Sequence, residues 1–156
     1  MELLTFSHMA ISCKDPIATE KFYTKYFGFK RARVVKLENE QVVYIKLGDM
    51  YLELFQSTGE SAVPSTDRDG PVYPAWRHLA FQVDNVDVKL AEMASDAKIT
   101  LGPMSFDDFI PGWRSVWLAD PNGNIVELSQ GFVDQDNPPP LDTNLVSRST
   151  QPVNIP

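Results

Sequence analysis

The sequence has few of the residues that would indicate export from the cell or insertion into a membrane. Cys13 is the only cysteine among 156 residues, so no disulfide can form within the chain and nothing indicates an oxidising compartment. No run approaches the roughly 20 apolar residues that span a bilayer. Residues 1–13 lack the basic start and the apolar core of a signal peptide. These absences predict a cytoplasmic protein with no membrane partner.

Basic residues are also scarce. The sequence has 14 Lys and Arg against 21 Asp and Glu, which gives a formal net charge of −7. Nucleic-acid binding depends on neutralising phosphates with lysine and arginine, and anionic membrane surfaces likewise attract basic segments. The acidic balance therefore argues against both partners. With 43% hydrophobic and 22% charged residues, the composition predicts an ordinary folded protein of one compact domain.

The chain contains two copies of one pattern of segments. The order strand, helix and three strands is predicted over residues 4–57 and again over residues 76–131. In the first copy, Asp15, Pro16 and Gly28 are typical of a helix N-cap, a first helical turn and a C-terminal stop. Because duplication sets the architecture of a protein, we predict an α+β fold built from two βαβββ modules.

Two segments do not share this pattern. Residues 58–75 are rich in Pro, Gly, Ser and Asp, and are predicted to link the modules or to cover a site. Residues 132–156 contain three consecutive prolines and little apolar material. They are predicted to form an extended arm on the domain or on a partner subunit, or to be partly disordered. The sequence thus predicts a single domain over residues 1–131 and a Pro-rich C-terminal arm.

Each module carries one histidine and one glutamate at matching positions. His8 and His78 begin strand-like segments, while Glu53 and Glu127 lie in MYLELFQ and NIVELSQ with apolar neighbours on the opposite face. A glutamate that faces a closed interior needs a partner or a raised pKa, and one divalent cation would satisfy both glutamates. Taken singly, a strand histidine is commonly structural, and a strand glutamate commonly faces solvent. The coincidence in both copies favours a metal site, and two imidazoles with two carboxylates suit Ni, Co, Zn, Fe or Mn.

Four segments of the sequence resemble the vicinal oxygen chelate superfamily. This superfamily includes glyoxalase I, bleomycin-resistance proteins, fosfomycin-resistance enzymes, methylmalonyl-CoA epimerase and extradiol dioxygenases. The similar segments are HMAISCKDPIATEKFYTKYFGF, YLELFQ, WRHLAFQVDNVD and VWLADPNGNIVELSQ. The resemblance implies a glyoxalase-like fold, in which two βαβββ modules form a curved mixed sheet around a metal site. Glyoxalase I holds its metal with two His and two Glu, which implies that His8, Glu53, His78 and Glu127 are the ligands here.

The resemblance also implies a function. A substrate with vicinal oxygens would chelate the metal, and a lyase or isomerase reaction would follow by proton transfer, with Glu127 or Glu53 as base and acid. Analogy slightly favours Glu127 as the base. Ser12 and Ser57 stand where bacterial glyoxalases carry an Arg and an Asn for glutathione, so that thiol carrier is not implied.

Two alternatives remain open from the resemblance. One is a ring-cleaving dioxygenase with Fe(II) on His8, His78 and Glu127, in which Glu53 is not a ligand. The other is a non-catalytic drug-binding or small-ligand-binding protein of the bleomycin-resistance type. A small-molecule partner and a homodimer are expected in each case.

Substrate contacts are predicted around residues 113–117. Trp117 shares strand parity with Ser115 and is expected to point inward. Trp113 and Arg114 follow the loop FDDFIPG, where they would meet an anionic or aromatic substrate. Core packing is an equal alternative for both tryptophans. Tyr44, between Val43 and Ile45, is predicted to be a core residue.

Overall fold

The fold is a twofold repeat of strand, helix and three strands. The computed structural model describes residues 4–60 and 76–142. The first module contains β1 (His8–Cys13), α1 (Pro16–Phe27), β2 (Lys30–Lys36), β3 (Gln41–Leu47) and β4 (Met50–Gln56). The second contains β5 (His78–Gln82), α2 (Val86–Met93), a short 3-10 helix (Ala94–Asp96), β6 (Lys98–Ser105), β7 (Arg114–Ala119) and β8 (Ile125–Gln130). The predicted α+β fold of two βαβββ modules is confirmed.

Each module forms one four-stranded sheet. The strand order is β1-β4-β3-β2 in the first module and β5-β8-β7-β6 in the second. β1 runs parallel to β4, and β5 runs parallel to β8. Ala10 is paired with Glu53, and Ala80 is paired with Glu127, so the two registers are equivalent. The topology therefore places the strand that carries each histidine beside the strand that carries the glutamate of the same module.

The two faces of each sheet differ in character. In the first sheet Leu52 and Leu54 are completely buried, and they pair with Ile45 and Val43 of β3. The equivalent buried residues of the second sheet are Val116, Leu118, Val126 and Leu128. Since side chains alternate along a strand, the opposite face carries the glutamates. Burial of the apolar face thus fixes which side chains point to the candidate site.

Helix α1 begins and ends where the sequence predicts. The Asp15 carboxylate accepts hydrogen bonds from the backbone N–H of Ile17 and Ala18 at 2.9 and 3.0 Å, which satisfies donors that an N-terminus leaves unpaired. Gly28 ends the helix with a φ of 72°, in the left-handed region that favours glycine. Three aromatic residues dominate the buried face of the helix: Phe22, Tyr23 and Tyr26.

Some element boundaries depend on distant partners or on backbone geometry. β1 begins at His8, where its pairing with β4 begins, although the first module was predicted from residue 4. β5 is limited to His78–Gln82, the residues that pair with β8, although the second module was predicted from residue 76. α2 ends at Met93, because Ala94 adopts a φ of 47° that is incompatible with a right-handed helix.

Contacts between residues divide the chain into two compact units. The first unit combines the first module with two segments of the second module, and the second unit contains the rest of the second module. The described residues of the first unit are 4–60, 88–98 and 119–124, and those of the second are 76–87, 99–118 and 125–142. Within the first unit, the Tyr23 hydroxyl donates to Asp120 at 3.2 Å. The Asn122 amide donates to Thr19 at 2.8 Å. Part of the second half of the sequence therefore completes the core around α1.

The predicted linker and arm fall largely outside the described residues. Residues 61–75 and 143–156 are not described. Residues 132–142 are exposed and have no helix or strand. In the described ranges, no helix has the length and apolar character needed to cross a membrane. The division into modules, linker and arm stays a prediction.

Candidate metal and substrate site

His8 and Glu53 form a pair on the adjacent strands β1 and β4. Nε2 of His8 lies 3.3 Å from Oε2 of Glu53, and Nδ1 lies 3.0 Å from the Ser7 hydroxyl. The Glu53 side chain is 13% exposed and the His8 side chain 43%. The first module thus presents one imidazole nitrogen and one carboxylate oxygen toward each other.

Tyr44 belongs to this site, although the sequence predicted a core residue. It is paired directly with Glu53 across β3 and β4, and its hydroxyl donates a hydrogen bond to Oε1 of Glu53. The Tyr44 ring lies edge-on to the His8 ring, with centroids 6.2 Å apart. The hydrogen bond to Glu53, together with burial, raises the pKa of Tyr44. Tyr44 therefore keeps its proton and acts as a donor to the glutamate.

The second module repeats this arrangement with tryptophan in place of tyrosine. Nε2 of His78 lies 2.8 Å from Oε2 of Glu127, and the two side chains are 25% and 11% exposed. The Trp117 ring lies edge-on to the His78 ring, with centroids 6.5 Å apart. Each module therefore holds a histidine, a glutamate and an aromatic residue with a polar hydrogen.

A signal in the sequence could have identified Tyr44. The run Val43-Tyr44-Ile45 matches Val116-Trp117-Leu118 in the strand that precedes each glutamate. The offset between the aromatic residues is 117 − 44 = 73, and that between the glutamates is 127 − 53 = 74. Extending the repeat through this strand assigns Tyr44 and Trp117 to equivalent positions.

The pKa of Glu127 is lowered from its ordinary value of 4.5. Burial is the largest single influence and raises the pKa, but several interactions together outweigh it. Hydrogen bonds from His78 and Ser115 lower the pKa most, and the electrostatic attraction of His78 and the Trp117 indole add to them. The site therefore favours an ionised Glu127.

This lowered pKa predicts a pH dependence of stability. A carboxylate whose pKa is depressed by folding stabilises the protein above its unfolded-state pKa, and this contribution is lost as the pH falls through the folded-state value. We expect metal-free wild-type protein to lose more free energy of unfolding between about pH 6 and about pH 3 than the Glu127→Gln variant. Urea unfolding at both pH values measures the difference, and equal losses in the two proteins would contradict the prediction.

The predicted substrate residues Trp113 and Ser115 are joined through Ser129. The Trp113 indole N–H donates to the Ser129 hydroxyl at 3.0 Å, and the hydroxyls of Ser115 and Ser129 lie 3.1 Å apart. The Trp113 ring packs against Phe106, with centroids 4.6 Å apart. Ser129 was not predicted as a site residue, although it shares strand parity with Glu127.

Arg114 and Trp117 each retain a buried N–H group without a hydrogen-bond partner within the described ranges. Arg114 donates from Nη2 to Asp87 at 2.8 Å, but its Nε is unpaired. The indole N–H of Trp117 acts on the Glu127 carboxylate, whose pKa it lowers, but it makes no hydrogen bond within the usual distance. A buried donor left unpaired costs about 1–3 kcal/mol, so both groups are suited to an incoming acceptor oxygen.

Each His–Glu pair offers the nitrogen and oxygen donors that first-row divalent metals accept. Residues 4–60 and 76–142 contain no group of three or more His, Cys, Asp or Glu side chains arranged to hold one ion. Each pair by itself supplies two ligands, and the pairs belong to different compact units. The chemistry of the donors fits a metal, and the four-ligand set stays a prediction.

Comparison with protein families identifies the relatives of this chain. The family model of the Glyoxalase/Bleomycin resistance protein/Dioxygenase superfamily matches residues 5–128. The chain belongs to this superfamily. The resemblance stated from the sequence is therefore confirmed. No curated protein matches the sequence.

Solved structures of superfamily proteins share the fold. A glyoxalase family protein from Enterococcus faecalis is 30% identical with a TM-score of 0.63, over 80% of this chain and 96% of that one. Lactoylglutathione lyase from Agrobacterium tumefaciens is 27% identical with a TM-score of 0.54, over 81% and 93%. A variant of the fosfomycin resistance protein from Listeria monocytogenes, complexed with Mn(II) and dihydroxypropylphosphonic acid, is 14% identical with a TM-score of 0.59, over 85% and 96%. At that identity, the last likeness concerns the fold alone.

Proposed function

We propose that this superfamily member is a metal-dependent enzyme that binds a substrate through two neighbouring oxygens and transfers a proton, as a lyase or isomerase. The observation that carries the proposal is the pair of equivalent His–Glu contacts, at 3.3 Å in the first module and 2.8 Å in the second. Together they offer two imidazoles and two carboxylates. Ni, Co, Zn, Fe and Mn all accept such a donor set.

In this proposal His8, Glu53, His78 and Glu127 hold the metal, within one chain or with pairs from two copies of a homodimer. When bound, the ion supplies Lewis acidity toward a carbonyl oxygen of the substrate. One of the two glutamates accepts a proton from the carbon beside that carbonyl and returns it to the substrate. The homodimer and a cytoplasmic location stay predictions from the sequence.

The neighbouring side chains are proposed to select the substrate. The unpaired N–H groups of Trp117 and Arg114 favour a ligand that carries acceptor oxygens, because each donor would gain a hydrogen bond. The side chains of Trp113 and Ser115 already form hydrogen bonds with Ser129. This favours a role for them in shaping the surface that meets the substrate. A substrate with an anionic or carbonyl oxygen satisfies these requirements.

The test of this proposal is the metal content of untagged protein, measured by inductively coupled plasma mass spectrometry. We expect about one first-row metal ion per chain, since the chain contains one four-ligand set. The protein would be measured as purified and again after incubation with Ni, Co, Mn or Fe(II) followed by desalting. If no ion is retained under any of these conditions, the metal-dependent function is wrong, and a ligand-binding role is favoured.

Oxygen consumption separates the proposed reaction from ring cleavage by a dioxygenase. The contact between His8 and Glu53 favours Glu53 as a fourth ligand, whereas the dioxygenase alternative requires three ligands and open positions. We therefore expect the Fe(II)-loaded protein to consume no oxygen with catechol as the probe. Stoichiometric, protein-dependent consumption of oxygen would instead support the dioxygenase.

A further inference from the structure

Strand β2 carries positive charge in a chain that is acidic overall. Its sequence KRARVVK contains four of the 14 Lys and Arg residues of the chain and no Asp or Glu. All seven residues of β2 are exposed. The strand ends the order β1-β4-β3-β2 of the first sheet, so its charge lies at one side of the sheet that carries His8 and Glu53. A local concentration of positive charge attracts anionic ligands.

An irregularity in the pairing of β2 with β3 turns two arginines to opposite faces of the sheet. Arg31 is paired with Ile45 and Arg33 with Tyr44, and the register shifts between the two pairs. In a regular strand, residues two apart lie on the same face. Ile45 and Tyr44 are consecutive and face opposite sides, so their partners Arg31 and Arg33 do as well. A bulge re-aims side chains in this way, and bulges are frequent beside active sites.

The two arginines have different surroundings. Nε and Nη2 of Arg31 each donate to the carboxylate of Glu20 on α1 at 2.6 Å, so Arg31 is engaged on the helix side of the sheet. Arg33 forms no ion pair within the part of the chain that the structure describes. The hydrogen bond to Glu53 raises the pKa of Tyr44, and the charge of Arg33 opposes that rise. Arg33 therefore lies near Tyr44 with its donors available to a ligand.

The pairing register arranges the face that carries Glu53 in two parallel rows. Each row runs across the first sheet from a proposed metal ligand to a positively charged residue of β2. The first row consists of Glu53, Tyr44 and Arg33. The second row consists of His8, Tyr51, Lys46 and Lys30. Since adjacent strands lie roughly 4.8 Å apart, Arg33 stands roughly 10 Å from Glu53 across the sheet.

Arginine at this spacing suits the carboxylate of a small substrate. A guanidinium presents its N–H donors in a planar fork that matches both oxygens of a carboxylate. The guanidinium of Arg33 and the carboxylate of Glu53 each occupy part of the spacing between their strands. Room for a short carbon chain is left between them. One end of such a molecule would meet the proposed metal ligands, and the other end would meet the arginine.

We propose that Arg33 binds a carboxylate of the substrate, so that the substrate class is a carboxylic acid whose two neighbouring metal-binding oxygens lie at the other end of a short chain. The inference rests on the proposed function and names the substrate class for the same site. Lys30 and Lys46 add positive charge on the same face, although Nζ of Lys46 lies 3.8 Å from a carboxylate oxygen of Asp49. Arg33 is therefore the principal group that binds the anion.

The test measures the binding of three probes to the nickel-loaded, intact chain by isothermal titration calorimetry. 2-Oxoglutarate and 2-oxoadipate carry two neighbouring oxygens and a distant carboxylate, whereas 2-oxopentanoate lacks the distant carboxylate. We expect at least one of the two dicarboxylates to bind about tenfold more tightly than 2-oxopentanoate, because it gains a charge-assisted pair with an exposed arginine. Arg33→Gln should abolish this preference and leave the nickel content unchanged, since Arg33 is not a proposed ligand.

Lys36→Gln is the matched control. It removes one positive charge from the same exposed strand, but Lys36 is paired with Gln41 and lies on the face opposite to Arg33. The tenfold preference should therefore persist in this variant. Arg33→Lys keeps the charge without the planar fork. It should bind the preferred dicarboxylate more weakly than the wild type, and it serves if circular dichroism shows that Arg33→Gln is not folded.

The outcomes distinguish this inference from the proposed function. If neither dicarboxylate binds more tightly than 2-oxopentanoate, or if Arg33→Gln keeps the preference, Arg33 does not bind a substrate carboxylate and the proposed function stands. An equal loss of preference in Lys36→Gln would also overturn the inference, because only the general charge of β2 would then matter. Failure of the wild type to hold nickel or any other first-row metal would overturn the proposed function and the inference together.

Discussion

Replacing His78 with alanine is expected to remove the bound metal ion almost completely. Nε2 of His78 lies 2.8 Å from Oε2 of Glu127, so the substitution deletes one proposed ligand and the partner of a second. Losing an outer-shell partner costs about 10–100-fold in metal affinity, and loss of a ligand should exceed about 100-fold. Metal content by mass spectrometry and chelator competition for Ni²⁺ measure the effect.

A control just before the same strand separates metal binding from structure. Trp76 precedes His78 by two residues and is 91% exposed, so Trp76→Ala should keep both the metal and the fold. If the His78–Glu127 contact is only a structural ion pair, His78→Ala would lower the free energy of unfolding of the metal-free protein without changing metal content. That outcome would contradict the assignment of His78 as a ligand.

Replacing Asp120 with alanine is expected to cause the largest loss of stability, about 3 kcal/mol in the free energy of unfolding. Asp120 is 2% exposed. Its Oδ1 accepts from the backbone N–H of Asn122 and Asn124 at 2.8 and 2.9 Å. Its Oδ2 accepts from the Tyr23 hydroxyl at 3.2 Å and the Asn124 amide at 3.0 Å. The substitution therefore removes an acceptor from four hydrogen bonds in a buried turn.

Asp107→Ala is the matched control for Asp120. Asp107 also accepts a backbone N–H, from Gly112 at 2.7 Å, but it lies on an exposed loop where water can replace the carboxylate. We expect Asp107→Ala to cost less than about 1 kcal/mol. Urea unfolding followed by circular dichroism compares the two variants. Equal losses would show that the turn at Asp120 does not support the core around α1.

The sequence predicted the fold well because its local signals agree with the final structure. The Asp15 cap and the Gly28 stop depend on residues close together in the chain, and both are present. The repeat is visible by comparing the two halves of the sequence, and it is present as well. Boundaries that depend on distant partners were less predictable. The first backbone N–H of α2, at Val86, donates to the side chain of Gln130 at 2.8 Å. No local pattern contains that information.

The candidate site was predictable only where the repeat made it visible. Strand parity and the matching copies identified the histidines and glutamates. Tyr44 was misassigned because its neighbours Val43 and Ile45 are apolar, and its pairing with Glu53 depends on the register of β3 against β4. Ser129 was missed for a similar reason, since its contacts with Trp113 and Ser115 require three segments to meet. A serine or tyrosine in a strand carries no such signal by itself.

Because the first compact unit includes segments from the second half of the chain, the first half should not fold as a separate fragment. Residues 88–98 and 119–124 belong to the same unit as residues 4–60, and the bond from Tyr23 to Asp120 is part of that unit. A polypeptide cut within residues 61–75 would leave the first fragment without these contacts. The first fragment should then not fold alone, whereas mixing it with the second should restore structure by complementation. The duplicated halves are therefore cooperative partners in folding rather than independent domains.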